Sequence, residues 1–208
     1  DNPAMGKIYA TNLTPSTLKE WTDGEVARAI RHGIGRKNQP LILMPSHDYQ
    51  YLSESDLAST VAYLRLVPAV NKTNQSSHLG PISHMLIALN KAPLLSAETI
   101  DHQAPFSEKP TEEVSVAFGK YLAQTACIGC HRPTLTGGPM PGAPPDWLPA
   151  ANLTKTALGN WKEADFIKAM REGMNPQGQK IRPPMPITLT AQMTDVELKA
   201  LWLYLQTK

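Results

Sequence analysis

Cys127-Ile128-Gly129-Cys130-His131 is the most informative segment of this sequence. Two thiols three positions apart, with a histidine directly after the second, are typical of a c-type haem attachment site. In such a site each sulfur bonds one vinyl group of the haem and the histidine ligates the iron. The segment therefore predicts a covalent haem c held by Cys127 and Cys130, with His131 as an iron ligand.

Other sites also use a Cys-x-x-Cys pair. A thioredoxin-like redox pair requires a βαβ context, and a structural zinc site requires a second pair of Cys or His ligands. The chain contains only two cysteines and no alternating pattern of strands and helices around them. A catalytic cysteine activated by His131 is a further alternative, because a nucleophilic thiol needs a neighbouring base.

The second axial ligand is expected to be a soft, uncharged side chain on a rigid loop. Met185 lies in Arg182-Pro183-Pro184-Met185-Pro186, where the prolines fix φ and predict an irregular loop. The chain has eight methionines, and filling gaps in a core is the commoner role of this residue. Met174 and Met140 lie in loops and remain alternative ligands, whereas two others in or beside helical patterns are expected to pack in the core: Met170 and Met193.

Composition indicates an ordinary globular protein. Of 208 residues 41% are hydrophobic and 18% charged, and the net charge of +2 with a pI of about 8.5 indicates no nucleic-acid partner. No apolar run is long enough to span a bilayer. The chain opens on Asp1-Asn2-Pro3, so we expect a processed or trimmed form if the protein is exported. Haem attachment of this kind occurs outside the inner membrane, which predicts a periplasmic location.

An internal repeat with an offset of about 140 residues relates the two halves of the chain. The motif Asn-Leu-Thr, a following tryptophan and a Met-Pro pair recur in the same order, the last with a slip of one residue. The matching positions are Asn12-Leu13-Thr14 and Asn152-Leu153-Thr154, Trp21 and Trp161, and Met44-Pro45 and Met185-Pro186. The two halves are thus predicted to be copies of one helical unit.

Helix signals occur at equivalent places in both copies. Thr22-x-x-Glu25 and Thr194-x-x-Glu197 predict capping boxes, and Ser53-x-x-Asp56 a weaker one. Gly33 and Gly173 fall where a helix should end. We also expect a helix from Glu113 to Ala126 before the haem motif, and another from Pro81 to Leu89. The first of these is expected to pack against the last helix of the chain through Val116, Tyr121 and Leu122 on one side and Leu201, Trp202 and Leu205 on the other.

With these residues the chain resembles the diheme c-type cytochromes of the periplasm. It is similar to the cytochrome subunits that accept electrons from alcohol, aldehyde and sugar-acid dehydrogenases. The resemblance is carried by the haem motif, the segment Ile8 to Thr14 with Trp21, the Asn152-Leu153-Thr154 and Trp161 positions, and Met185-Pro186. It implies that His131 and Met185 are the axial ligands of one haem, and that Met44 serves a second.

The resemblance implies an all-α fold with two tandem cytochrome c-like domains. We predict an incomplete domain over residues 1–67, a connector over 68–111 and a complete domain with covalent haem over 112–208. The first domain lacks its N-terminal helix and haem motif, which we expect to lie upstream of Asp1 in a longer chain. The alternative is that the first haem has been lost while the surrounding helices were kept. The histidines of the connector are expected to be surface or hydrogen-bonded residues: His78, His84 and His102.

The implied function is electron transfer between a dehydrogenase and a respiratory acceptor. Trp147 and Trp161 are expected to line the haem pocket and Arg182 to pair with a propionate, although core and solvated roles are equally consistent with the sequence. Two alternatives stay open. One is a haem-based oxidoreductase acting on a small substrate at a displaceable sixth position, and the other is a docking role for the first domain. An electron carrier or electron-transfer subunit is favoured over an enzyme in its own right.

Overall fold

The protein forms two compact units, residues Asp1–Glu108 and Lys109–Lys208, in a computed structural model that describes residues 3–89, 95–140 and 147–208. Both units are mostly helical, so the all-α prediction is confirmed. Residues 1–2, 90–94 and 141–146, which belong in turn to the three predicted segments, lie outside the described residues.

The first unit contains five α-helices, one 3₁₀ turn and one short strand pair among its described residues. The strands β1 and β2 pair antiparallel, with Gly6 opposite Leu79, and were not foreseen from the sequence. The elements are β1 (Gly6–Lys7), α1 (Pro15–Leu18), α2 (Asp23–His32), α3 (Ser46–Tyr49), α4 (Glu54–Leu66), β2 (His78–Leu79), α5 (Pro81–Ala88) and the 3₁₀ turn Ser96–Glu98.

The core of the first unit lies between α1, α2 and α4. Val26 and Ile30 project from α2 toward Leu57 and Val61 of α4, and Leu18 of α1 completes the buried cluster. The ends of α2 follow the sequence signals, with the predicted Thr22 and Glu25 capping box at its start and Gly33 in a left-handed conformation (φ 65°) at its end. Ser53 caps α4 by accepting a hydrogen bond from the Asp56 amide, as expected.

Much of the segment predicted as a connector packs on the first unit. The Asn12 side-chain amide donates to the Val70 carbonyl at 2.8 Å, and the Ser83 hydroxyl donates to the Met5 carbonyl at 2.6 Å. Further along, the Arg31 guanidinium donates to the Ala104 carbonyl at 2.7 Å. The boundary between the compact units falls after Glu108, inside the predicted connector.

The second unit is built on a close crossing of its first and last long helices. Its elements are α6 (Val116–Ala126), α7 (Ile128–His131), α8 (Lys155–Leu158), α9 (Glu163–Glu172), α10 (Ile187–Thr190) and α11 (Asp195–Leu205). A Cβ atom on Gly119 of α6 would lie 1.9 Å from the carbonyl oxygen of Ala200 on α11, so only glycine permits this approach. Phe118 and Tyr121 pack with Ala200 in the buried cluster of this crossing.

The start of α6 and the exposure of Val116 differ from the sequence prediction. Helix α6 begins at Val116 rather than Glu113, because the Ser115 hydroxyl accepts from the Phe118 amide and caps the helix there. Val116 itself is 41% exposed and does not join the core. Trp202 packs beside Phe166 of α9, with ring centroids 5.7 Å apart.

The helical repeat has the same hydrogen bonds in both units. The Leu41 amide donates to the Gly33 carbonyl and the Ile181 amide to the Gly173 carbonyl, each at 2.7 Å. In both units the Asn-Leu-Thr asparagine accepts from the threonine amide two residues later, at 3.0 Å for Thr14 and 2.9 Å for Thr154. The internal repeat seen in the sequence is therefore a repeat of backbone structure.

Candidate haem site

The Cys-x-x-Cys-His segment forms one short helical turn directly after α6. Cys127 ends α6, and the amides of Cys130 and His131 donate back to its carbonyl at 3.3 and 2.9 Å. This turn brings the two thiol-bearing residues and the histidine together, and the cysteines do not form a disulfide. The local fold thus supplies the three side chains that covalent haem attachment requires.

His131 is held in one tautomer by a backbone carbonyl. Its Nδ1 lies 2.7 Å from the carbonyl oxygen of Ala151, and the side chain is 8% exposed. A carbonyl only accepts, so Nδ1 must carry the hydrogen, which leaves Nε2 with the lone pair. Metal-ligating histidines are usually fixed in this way by a partner on the other ring nitrogen, which also raises the basicity of the ligating atom.

Gly137 brings the Ala151 carbonyl within reach of His131. The Gly138 amide donates to the Ala150 carbonyl and the Ala150 amide donates back, each at 2.9 Å. Gly137 has φ 66°, and a Cβ atom there would lie 2.3 Å from the Ala150 oxygen and 2.5 Å from the Ala151 oxygen. Any other residue would push the 150–151 segment away from the histidine. The sequence motif did not reveal this support, because Gly137 and Ala151 lie outside it.

The electrostatics of the site suit a neutral ligand and unreactive thiols. Burial lowers the pKa of His131, and only its bond to Ala151 opposes that shift, so the imidazole is neutral near pH 7. Burial, aided by the Cys130 thiol, raises the pKa of Cys127 to about 12. Because the thiolate is the nucleophilic form, a thiol with this pKa is a poor catalytic nucleophile. This weakens the alternative of a catalytic cysteine.

Met185 and Met44 each begin a tight turn, and the two turns have the same conformation. The Ile187 amide donates to the Met185 carbonyl at 3.0 Å across Pro186, whose φ and ψ are −85° and 68°. The Ser46 amide donates to the Met44 carbonyl at 2.8 Å across Pro45, with φ −81° and ψ 51°. Both are inverse γ-turns, a conformation for which proline is preset. Both methionine side chains are half-buried.

The other residues predicted at the site lie in varied environments. Trp161 is half-buried at the start of the loop before α9, whereas Trp147 is 47% exposed. Arg182 is exposed, and its carbonyl accepts from the Met185 amide at 3.3 Å. Of the alternative ligands, Met174 forms an isolated bridge with Lys180, and Met140 is half-buried. Within the described ranges, no three His, Cys, Asp or Glu side chains cluster as a metal site would need.

Residues 116–208, which run from the start of α6 to the end of α11, match the family model described as cytochrome c. This unit is a cytochrome c domain. A domain of this family implies a covalent haem c, and the residues present fit that group. Cys127 and Cys130 supply the thiols, and His131 supplies a neutral imidazole whose Nε2 keeps its lone pair.

Much of the chain is similar to cytochrome subunits of dehydrogenases. It is 31% identical over 199 residues to the gluconate 2-dehydrogenase cytochrome c subunit of Pantoea cypripedii, covering 82% of this chain and 44% of that relative. It is 27% identical over 195 residues to the alcohol dehydrogenase (quinone) cytochrome c subunit of Gluconacetobacter polyoxogenes, covering 81% and 40%. The fructose dehydrogenase cytochrome subunit of Gluconobacter japonicus is 31% identical over 103 residues, or 45% and 21%.

The gluconate and alcohol dehydrogenase matches extend beyond the cytochrome c domain. An alignment that covers 82% of the chain must include much of the first unit, so the first unit also has a counterpart in the gluconate relative. The chain spans less than half the length of the first relatives it matches. The homology supports an electron-transfer role. Among the residues that the structure describes, no helix combines the length and apolar character needed to cross a bilayer.

Proposed function

We propose that this chain is a periplasmic electron-transfer protein whose cytochrome c domain holds its haem iron between His131 and Met185. In this proposal it receives electrons from a dehydrogenase and passes them to a respiratory acceptor. The similarity to cytochrome subunits of gluconate, alcohol and fructose dehydrogenases supports a dehydrogenase as the electron donor. The periplasmic location rests on the covalent attachment motif.

The observation that carries the proposal is the hydrogen bond from His131 Nδ1 to the Ala151 carbonyl at 2.7 Å. This hydrogen bond fixes the tautomer that a ligating histidine needs. His131 directly follows Cys130, so the ligating side chain belongs to the same turn as the two thiols. The bound haem supplies one-electron chemistry at its iron, with histidine and methionine ligation favouring a high reduction potential.

The protein residues hold, orient and shield the group. Two apolar side chains close in sequence to His131 are buried, Ile128 at 8% and Leu135 at 0% exposure, and give the attachment turn surroundings of low polarity. Low polarity there favours the less charged ferrous state. The γ-turn at Pro186 fixes the backbone that presents Met185. A soft, neutral sulfur ligand completes the coordination that we propose and leaves no position for a substrate.

We extend the proposal to Met44 as the corresponding ligand for a haem in the first unit. Its turn is the same as that of Met185, and the Ser96 hydroxyl adds a second hydrogen bond to its carbonyl at 2.5 Å. Residues 1–108 contain no cysteine, so thiols for covalent attachment of that haem would have to come from outside these residues.

A haem count and a ligand substitution test the function. Intact mass under denaturing conditions with a pyridine haemochrome assay should give one covalent haem per chain, and none in the Cys127→Ser, Cys130→Ser double variant. Met185→Leu should lower the reduction potential and abolish the absorption band of a methionine-ligated ferric haem. Met170→Leu, a helix methionine in the same domain, is the matched control.

Two results would contradict the proposal. Native chain without covalent haem would remove its basis. A Met185→Leu variant that keeps the methionine absorption band would transfer the ligand role to another residue, and Met174→Leu and Met140→Leu would then identify it. Substrate turnover by the isolated chain, with saturation kinetics, would favour the haem-based oxidoreductase instead.

A further inference from the structure

Two histidines that are distant in sequence face each other in the first unit. His32 ends α2, and His102 lies in the segment that follows the 3₁₀ turn, yet their Nδ1 atoms are 3.1 Å apart. The ring centroids are separated by 5.2 Å. His102 is exposed and hydrogen-bonded, as predicted for the connector histidines, and one of its partners is a second histidine.

The hydrogen bonds of His102 leave its Nδ1 available as a ligand. Its Nε2 lies 2.8 Å from the carbonyl oxygen of Ala97 and must donate to it. Neutral His102 therefore has its lone pair on Nδ1, directed at His32. A backbone carbonyl on the outer nitrogen of a histidine is the usual support of a metal ligand.

The separation of the two nitrogens suits a single metal ion. Zinc–nitrogen bonds of about 2.0–2.1 Å place two ligand nitrogens about 2.9 Å apart at a right angle and about 3.4 Å apart at the tetrahedral angle. The observed 3.1 Å lies between these values. The pair thus needs no large movement of the backbone to chelate an ion.

Charge around the pair favours neutral imidazoles and limits affinity. Burial lowers the pKa of His32, followed by the effects of His102, Arg31 and Arg28. Neutral imidazole is the form that binds metal. The two guanidiniums are directed at carbonyl oxygens, Arg31 at Gln50, Ala104 and Pro105, and Arg28 at Gly35 and Arg36. Their positive charge nevertheless opposes a cation.

We propose that His32 and His102 form a binding site for a divalent transition-metal ion of the zinc type, coordinated by both Nδ1 atoms. In the neutral pair, His32 Nδ1 carries a hydrogen and donates it to His102 Nδ1. When the metal binds His32 Nδ1, that nitrogen loses its hydrogen and His32 Nε2 takes one up, so no net proton is released. The described residues place no third His, Cys, Asp or Glu beside them, and water completes the coordination. Histidine ligands select zinc, copper or nickel over magnesium or calcium.

The site joins the end of α2 to a segment 70 residues later. An ion that binds only when both histidines are in place stabilises the first unit against unfolding by mass action. The proposal is independent of the haem and of the electron-transfer function, because it concerns only side chains of the first unit.

Titration of the intact haem-containing chain with zinc chloride at about pH 7.5 tests the proposal. Calorimetry should show one bound Zn²⁺, and thermal unfolding should shift upward with added zinc. His32→Gln and His102→Gln should each weaken binding by at least about tenfold, the scale on which even outer partners of a metal site act. The exposed histidine variants His78→Gln and His84→Gln are the matched controls and should bind as the parent chain does.

A conservative variant separates a ligand role from a structural one. His102→Asp keeps a zinc ligand at the position, so it should recover affinity relative to His102→Gln, whereas a merely structural histidine would not be rescued by a carboxylate. Circular dichroism without metal establishes that each variant is folded. Equal zinc affinity in the parent and the His32→Gln chain, or a loss of binding in His84→Gln instead, would overturn the proposal.

Discussion

The last helix of each unit has the same start and a different environment. Ser53 caps α4 and Thr194 caps α11, each accepting from the amide three residues on. Tyr204 of α11 is 6% exposed and lies against α6. Its counterpart in α4, Tyr63, is 67% exposed. The repeat therefore conserves the helices and turns, while the surroundings of the last helix differ.

Some structural features occur in both units, and others occur beside the haem motif of the second unit. Helices, the closing glycines and the methionine turns occur in both units, with the same hydrogen bonds. Among the described residues, the thiols, the helix that precedes them and the carbonyl bonded to the histidine are features of the second unit. The first unit instead packs residues 95–106 against α2 and α3, through Ser96, Ala104 and Phe106.

The largest expected effect comes from opening the α6 and α11 crossing. Gly119→Val should reduce the free energy of unfolding of the cytochrome c domain by about 3 kcal/mol or more, because its Cβ would overlap the Ala200 carbonyl. Urea denaturation and covalent haem yield measure it. Gly24→Ala in α2 is the control, since nothing lies within 4 Å of its Cβ position and a small stabilisation is expected. Comparable losses in both variants would show that the crossing is not special.

Arg31 of the first unit and Arg171 of the second occupy matching positions of the repeat, in different environments. Arg31 is 4% exposed, donates to three carbonyls and lies over the Phe106 ring at 4.0 Å. Arg31→Leu should reduce the free energy of unfolding by about 2–3 kcal/mol, because three part-buried hydrogen bonds from a buried guanidinium are lost. Arg171→Leu should reduce the free energy of unfolding by about 1 kcal/mol or less. Arg171 pairs with the exposed Asp195 and donates to one carbonyl, that of Ala191, so less is lost. Chemical denaturation of both variants tests the order, and equal costs would contradict it.

The smallest expected effect concerns pH. The pKa of His32 is lowered in the folded chain, chiefly by burial, so the unfolded state binds more protons as the solution is acidified. The contribution of His32 to stability is therefore complete above its unfolded pKa of about 6.5 and is lost as pH falls through the folded value. Metal-free parent chain should lose more stability from about pH 7.5 to about pH 5.5 than His32→Gln does. An equal loss in both would remove His32 as the cause.

Local sequence signals predicted much of the fold. Capping residues and closing glycines placed both ends of α2, the starts of α4 and α11 and the end of α9, because those interactions join residues only three or four positions apart. The start of α6 was missed by three residues, since Ser115 was a better cap than the acidic residues before it. The haem motif was readable because its chemistry requires a fixed spacing.

Long-range partners could not be predicted. Nothing in the sequence around Ala151 indicated that its carbonyl would orient His131, 20 residues earlier. The same holds for Arg31 with Ala104 and for His32 with His102, which are 73 and 70 residues apart. Such pairs depend on tertiary packing, which periodicity and propensity do not specify. The ligand roles of Met185 and Met44, and the pocket roles of Trp147, Trp161 and Arg182, stay predictions.

The three carbonyls bound by Arg31 also imply an order of opening. Its bond to Gln50 closes a loop of 19 residues, whereas its bond to Ala104 closes one of 73, which costs about 1 kcal/mol more in chain entropy. Residues 95–106 are therefore expected to detach first and to return last, with α2, α3 and α4 remaining folded. Amide hydrogens of residues 95–106 should exchange together, and faster than those of α2, α3 and α4. This segment is therefore expected to unfold locally while the rest of the first unit stays folded.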